Sequence, residues 1–172
     1  MINLNKKNIV LCGFMGSGKT AVGNQLSKLT SRNYVDIDQY IENKSGKTIS
    51  EIFAESGEQY FRDLEYEAAK ELSLKKGCII SAGGGTLLYE RNMQVLKENG
   101  IVIFLDVPLS TIKYRLRNDK KRPLLQRPDK DRVMEELYNQ RLPLYKETAD
   151  YRVDGTKSPI GVAKDICKII RK

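Results

Sequence analysis

The sequence lacks histidine and tryptophan, has only three cysteines and contains no long apolar run. Without histidine, the chain cannot form a Ser-His-Asp triad, a Cys-His dyad or a histidine-ligated zinc site. We therefore expect any general base to be a carboxylate and any metal to be a hard cation bound through oxygen. Hydrolases and zinc proteins that depend on histidine are excluded.

The cysteines and the apolar runs indicate the compartment. An odd number of cysteines argues against a disulfide framework, and Cys12 and Cys78 lie in apolar runs where a thiol packs as a small hydrophobe. The apolar run before Gly13 has four residues, which is too short for a signal peptide or a membrane span. We expect a reducing, cytoplasmic location and no membrane partner.

The length and charge of the chain limit its organisation and partners. Its 172 residues predict a single domain over 1–172, and its formal charge is +8. Residues 113–132 contain nine Lys or Arg against three Asp, so they supply +6 of that charge. This concentrated charge, interrupted by two prolines, favours a local anion-binding element over a broad basic face for nucleic acid.

Short apolar runs alternate with helical patterns along the chain. Such alternation predicts a three-layer α/β fold in which helices cover both faces of a parallel sheet of five strands. Ligands of such sheets bind beyond the carboxyl ends of the strands. The predicted strands are 9–12, 34–38, 78–81, 101–105 and 151–153. One helix is predicted from Ala21, a helical region between 38 and Lys76 with breaks at Gly46 and Gly57, and another helix through Met93. Three further helices are predicted to begin at Pro108, Asp131 and Pro159.

A phosphate-binding pattern follows the first predicted strand. Residues 13–20, GFMGSGKT, fit G-x-x-x-x-G-K-[ST], and a helix follows them. In this loop the backbone amides surround phosphate oxygens, Lys19 reaches the β- and γ-phosphates, and the Thr20 hydroxyl binds Mg²⁺. The pattern predicts nucleotide binding by Gly16, Ser17, Gly18, Lys19, Thr20 and Ala21.

Other features narrow the class of nucleotide-binding protein. A signalling GTPase needs Asn-Lys-x-Asp after a later strand. The nearest string, at 43–46, has Gly46 in place of the aspartate and comes too early. A motor or a helicase would need a longer chain. A small-molecule kinase fits the length.

The chain resembles the shikimate kinases in a set of short motifs. Their order and approximate spacing agree over nearly the whole chain. Many kinases share the phosphate loop, whereas the remaining motifs are much more specific to this family. These motifs are Asp36-Ile37-Asp38, Phe61-Arg62, Gly83-Gly84-Gly85, Arg122-Pro123-Leu124-Leu125, and Arg141 with Tyr145.

This resemblance implies a P-loop NTPase fold like that of the nucleoside-monophosphate kinases, with a central five-stranded parallel sheet. It also implies transfer of the γ-phosphate of ATP to the 3-hydroxyl of shikimate, with Mg²⁺ as cofactor, in aromatic amino-acid biosynthesis. The acceptor-binding subdomain would lie at about 38–65 and a mobile lid at about 117–130. We expect ATP and shikimate as partners, no nucleic acid, and a monomer.

The resemblance further implies roles for residues of the acceptor site. Asp38 would hold the shikimate hydroxyls and act as a base or an orienting group, and Arg62 and Arg141 would bind the carboxylate. Asp36 would organise Mg²⁺ through water, with Ser81 near its outer shell. The glycines Gly83, Gly84 and Gly85 would lie against the substrate, with Gly84 contacting the ring through its backbone. An arginine fork suits a small acid, and a carboxylate suits a reacting hydroxyl.

For the nucleotide, the resemblance implies that Arg122 folds over the phosphates from the lid and is catalytic together with Lys19 and Asp38. Arg115 would lie against the adenine, with the turn at Lys157 and Pro159 on its other side.

Several alternatives stay open from the residues alone. Asp36 could simply cap a helix, Arg62 and Arg141 could be solvated, and the glycine triplet could be a flexible turn. The whole protein could be another P-loop kinase, of gluconate or a nucleotide, or an RNA-binding or regulatory ATPase-like domain. The last class commonly uses aromatic stacking platforms, and this chain has no Trp and four Phe. The role of Lys120 and Lys121 is open.

Overall fold

The computed structural model describes residues 6–171 and contains the expected parallel sheet. Its strand order is β2-β3-β1-β4-β5, and every neighbouring pair is parallel. The predicted α/β fold with five parallel strands is therefore confirmed. The strands are β1 (Asn8–Cys12), β2 (Tyr34–Asp36), β3 (Ile79–Ser81), β4 (Gly100–Asp106) and β5 (Tyr151–Asp154).

Helices cover both faces of the sheet. Ile9 and Leu11 of β1 pack in one cluster with the helices that follow β1 and β5, whereas Val10 and Cys12 pack on the other side. This alternation along one strand produces the three layers. The helices of residues 6–171 are α1 (Lys19–Thr30), α2 (Ile37–Ser45), α3 (Ile49–Ser73), α4 (Glu90–Glu98), α5 (Leu109–Leu116), α6 (Lys130–Thr148) and α7 (Pro159–Ile170), with 3₁₀ turns at Thr86–Leu88 and Pro123–Gln126.

None of the helices in this described part of the chain is long and apolar enough to cross a membrane.

The prediction of a strand over 34–38 is wrong at its end. Strand β2 stops at Asp36, and Ile37 and Asp38 form the first turn of α2. The Asp36 carboxylate accepts a hydrogen bond of 3.0 Å from the backbone N–H of Gln39, so this residue caps the helix. The capping alternative for Asp36 is correct, and Asp38 owes its position to the helix rather than to the strand.

Glycine conformations explain one helix boundary and one kink. Helix α1 begins at Lys19, two residues earlier than predicted, and its N-cap is Gly18 with φ of +94°. That left-handed conformation is easy only for glycine. The predicted break at Gly57 is confirmed as a kink within α3, where φ is +82°.

Candidate active site

One large cavity, of about 720 Å³, adjoins the loops that follow the strands. The phosphate loop after β1, the start of α2 after β2 and the glycine triplet after β3 all line it. It contains every site residue predicted from the sequence except Arg62. These residues are Gly16, Ser17, Gly18, Lys19, Thr20, Ala21, Asp36, Asp38, Ser81, Gly83, Gly84, Gly85, Arg115, Arg122, Arg141, Lys157 and Pro159.

Within the phosphate loop, the Lys19 ammonium group is hydrogen-bonded to the loop's own backbone. Its Nζ atom donates to the carbonyl oxygens of Gly13 at 2.7 Å and Phe14 at 3.3 Å. Burial lowers the pKa of Lys19 from its usual 10.5 to about 8, although the charge of Asp36 opposes this shift. Phosphate oxygens would satisfy this partly buried cation better than neutral carbonyls do.

The glycine triplet (83–85) brings bare backbone against the charged side chains of the predicted acceptor site. A Cβ atom on any of these residues would enter space next to one of those charged groups. This close approach gives the triplet a packing role that a flexible turn would not need. Such a Cβ would lie 3.3 Å from Oδ2 of Asp38 at Gly83, 2.8 Å from Nη1 of Arg141 at Gly84, and 3.2 Å from Nη1 of Arg62 at Gly85.

Asp38 is a carboxylate in an acidic and partly desolvated position. Its pKa is raised from 3.8 to about 6, first by burial and then by the negative charges of Asp36, Glu65 and Glu42, whereas Arg62 opposes the shift. A carboxylate with a raised pKa is a stronger base than an exposed one, and it is still largely ionised at neutral pH. The position therefore suits proton acceptance from a hydroxyl group.

Arg62 lies behind the triplet rather than on the cavity wall, because a buried glutamate holds it there. Its Nη1 atom is 3.2 Å from Oε1 of Glu65, which is only 2% exposed. Glu65 also accepts hydrogen bonds from the Thr86 hydroxyl (2.9 Å) and the Asn92 amide (3.3 Å). Sequence analysis missed Glu65, although its place three residues after Arg62 on a helix was an available signal.

Arg115 joins the two loops that the sequence analysis assigned to the nucleotide. Its guanidinium group donates to the carbonyl oxygen of Gly16 at 3.1 Å and to that of Gly155 at 2.8 Å. The phosphate loop and the loop after β5 are thus tied together at the edge of the cavity, beside Lys157 and Pro159.

The predicted lid is attached to the protein by a single deeply buried apolar side chain. Arg122 lines the cavity and pairs with Asp119, whose carboxylate also accepts the backbone N–H of Lys121 and Arg122. Leu125 is 6% exposed and packs in the core. Lys120 and Lys121 are exposed and do not line the cavity.

Oxygen donors for a hard cation converge beside the phosphate loop. The Thr20 hydroxyl is exposed at the start of α1, and Asp36 and Ser81 are register partners on neighbouring strands. The Ser81 hydroxyl is buried and has no hydrogen-bond partner within residues 6–171. Mg²⁺ is usually held by a few protein oxygens together with substrate phosphates, and this set fits that pattern. In the same range, no three His, Cys, Asp or Glu side chains cluster as a metal site.

Comparisons with known proteins agree with the motif resemblance. The family model for shikimate kinase matches residues 15–171. This chain is 43% identical to the shikimate kinase of Persephonella marina, over 96% of this chain and 99% of that relative. The shikimate kinase of Acinetobacter baumannii, solved in complex with shikimate, matches with a TM-score of 0.88 and 37% identity over 96% of this chain and 93% of that one.

A second solved structure, the shikimate kinase of Aquifex aeolicus, matches with a TM-score of 0.83 and 38% identity over 95% of this chain and 96% of its own. Both the sequence and the fold are therefore shared over nearly the full length. This chain belongs to the shikimate kinase family.

Proposed function

We propose that this protein transfers the γ-phosphoryl group of ATP to the 3-hydroxyl of shikimate, forming shikimate 3-phosphate and ADP. Family membership supports this reaction. The observation that carries the assignment to particular residues is that one cavity is lined by the phosphate loop and also by Asp38 and Arg141. A nucleoside triphosphate and a small hydroxy acid could therefore meet there.

The acceptor groups suit a small acid with several hydroxyls. Arg141 binds its carboxylate from the cavity wall, and Arg62 turns from Glu65 to join it, because a guanidinium group offers a planar fork of donors. Asp38 hydrogen-bonds the reacting hydroxyl and accepts its proton as the hydroxyl oxygen attacks the γ-phosphorus. The glycine triplet leaves room for the ring against the backbone. Asp38 and Arg62 belong to an acceptor-binding subdomain at about 38–65, and the glycine triplet and Arg141 complete the acceptor site from later in the chain.

The nucleotide groups act mainly through position and charge. Lys19 moves from the loop carbonyls to the β- and γ-phosphates, and Arg122 adds a second positive charge from the lid. Arg115 packs against the adenine, with Lys157 and Pro159 on the other side. The departing phosphate oxygen of ADP then carries negative charge next to Lys19.

Mg²⁺ is proposed to accompany ATP at the oxygen donors beside the phosphate loop. The Thr20 hydroxyl would hold it directly and Asp36 through water, with the Ser81 hydroxyl close to its water shell. Bound there, Mg²⁺ would neutralise charge on the β- and γ-phosphate oxygens.

We further propose that the protein works as a monomer in the cytoplasm. The free, buried thiols of Cys12, Cys78 and Cys167 suit a reducing compartment.

An ADP-release assay with Mg-ATP tests the proposed function. The acceptor panel contains shikimate, quinate, gluconate and AMP, each varied to obtain kcat/KM. We expect shikimate to give by far the highest value, because its carboxylate and vicinal hydroxyls match the arginines and Asp38. A higher value for gluconate or AMP would assign this protein to another acceptor.

The lid proposal rests on charge and on weak attachment. Residues 117–130 contain six Lys or Arg and two prolines, and Leu125 is their one buried residue. A segment with few buried contacts opens at low cost. Anionic phosphates would draw Arg122 inward and help to exclude water from the transferring group.

Limited trypsin digestion tests whether this lid closes. Arg122 and Arg127 precede prolines and resist trypsin, so we expect the first cuts after Arg117, Lys120 or Lys121. A non-hydrolysable ATP analogue with shikimate should slow these cuts at least about tenfold, which corresponds to about 1.4 kcal/mol of added closure. Cuts elsewhere in the chain, which are the internal control, should slow much less. Equal cleavage of the lid with and without both ligands would rule out closure.

A further inference from the structure

A buried tyrosine holds the middle of the glycine triplet. Tyr145 lies on α6, one turn after Arg141, and its hydroxyl donates a hydrogen bond of 2.7 Å to the carbonyl oxygen of Gly84. Its side chain is 2% exposed, and its ring stacks on Phe104 with centroids 5.5 Å apart. Because the ring is fixed by packing, the hydroxyl is held at a defined place.

The hydroxyl of Tyr145 is a permanent donor. Burial raises its pKa from 10.0 to about 12, against the opposing charge of Arg141, so it keeps its proton at physiological pH. A Cβ atom placed on Gly84 would lie 3.8 Å from this hydroxyl and 2.8 Å from Nη1 of Arg141. Gly84 is thus flanked by the tyrosine and by an arginine assigned to the substrate carboxylate.

Three consecutive glycines need an external restraint if they are to present one conformation. Glycine loses more backbone freedom on ordering than any other residue. The triplet has no side chains to anchor it. The backbone N–H groups of Thr86 and Leu88 bond to the carbonyls of Gly83 and Gly85, which leaves the Gly84 carbonyl to the tyrosine. The Gly84 carbonyl and the Gly85 N–H belong to one planar peptide, so fixing the carbonyl also orients the N–H.

We propose that Tyr145 is a positioning residue for the acceptor. It fixes the Gly84–Gly85 peptide before the acid binds and thereby sets the affinity for the acid, while leaving the nucleotide side unchanged. The inference rests on the proposed function, in which the acid lies against the triplet. It adds a residue that touches no reacting atom. This residue acts through the Gly84–Gly85 peptide and through Arg141, which is hydrogen-bonded to the Tyr145 hydroxyl.

Tyr145→Phe tests this role, because it removes one oxygen and leaves the ring on Phe104. We expect the KM for shikimate to rise about tenfold, as for a lost hydrogen bond that leaves a carbonyl unpaired. The KM for ATP and kcat should stay within about twofold. This split between the two substrates is a readout that general softening of the fold would not produce.

Tyr138→Phe is the matched control. Tyr138 lies on the same helix, and its hydroxyl also donates to a backbone carbonyl, that of Val107, at 2.9 Å. Neither residue lines the cavity. We expect both KM values of this variant to stay within about twofold of wild type, although its melting temperature should fall about as much as that of Tyr145→Phe.

The outcomes separate the inference from the proposed function. Phosphorylation of shikimate by the wild type and by Tyr138→Phe tests the function alone. If these proteins are active and Tyr145→Phe keeps the wild-type KM for shikimate, the positioning role is refuted and the function stands. An equal rise in both KM values of Tyr145→Phe would also refute it.

Hydrogen exchange of the wild type tests the same inference without a variant. If Tyr145 orders the triplet in advance, the amides of Thr86 and Leu88, which donate to the carbonyl oxygens of Gly83 and Gly85, should exchange slowly before shikimate is added. Shikimate should then slow them little further. Fast exchange without ligand that slows only on shikimate binding would mean that the acid, and not the tyrosine, orders the triplet.

Discussion

Lys19→Ala is expected to lower kcat by about 10²–10³-fold, the cost typical of removing one preorganised donor to a charged transition state. Negative charge grows on the bridging oxygen as the phosphoryl group leaves, and Lys19 is the cation of the phosphate loop. Its ammonium group donates hydrogen bonds to two neutral carbonyl oxygens, and phosphate oxygens can replace these acceptors. The measurement is kcat at saturating shikimate and Mg-ATP.

Lys97→Ala provides the control for Lys19→Ala. Lys97 also donates to a backbone carbonyl, that of Thr148 at 2.7 Å, but it lies outside the cavity. We expect its kcat to stay near the wild-type value. Melting curves of both variants separate loss of catalysis from loss of folding. Near-normal turnover of a folded Lys19→Ala protein would remove the argument that the loop binds the transferring phosphates.

Asp38→Asn is expected to lower kcat by about 10²-fold or more, as for a lost general base, with little change in the KM for ATP. The substitution keeps the shape of the side chain and removes its charge. Because the pKa of Asp38 is raised to about 6, wild-type kcat/KM for shikimate should fall as pH drops below that value, where the carboxylate is protonated. The variant should lack this acid limb, which a pH profile of kcat/KM would reveal.

The stability of Asp38→Asn separates an effect on catalysis from an effect on folding. Above pH 6 the ionised Asp38 is disfavoured by burial and by neighbouring carboxylates, so folding is weakened as pH rises from about 4 to 6. Asp38→Asn should therefore melt no lower than wild type at pH 8.

Asp63→Asn is the control for Asp38→Asn. It alters an exposed carboxylate that pairs with Arg91 and should leave kcat unchanged. An Asp38→Asn enzyme with wild-type kcat and only weaker shikimate binding would make Asp38 an orienting group.

The elements that sequence analysis predicted correctly are those encoded in short segments. The apolar run at 9–12 followed by the phosphate loop, and the run at 78–81 followed by three glycines, each contain their own signal of strand and turn. Local signals were weaker at Asp36, where a helix cap and a metal ligand have the same residue type. The hydrogen bond from the backbone N–H of Gln39 to the Asp36 carboxylate marks where β2 ends and α2 begins.

The sequence by itself determined the class of fold, the phosphate loop and the family, because these depend on residue types at fixed spacing. Only the tertiary structure decided which distant groups support the site. Glu65 is buried behind Arg62 by contacts with Thr86 and Asn92, and the Tyr145 hydroxyl crosses 61 positions of sequence to reach Gly84. Periodicity indicates that such residues face inward. The partners they meet there depend on how helices and strands pack, since residues far apart in the chain become neighbours only when the layers assemble.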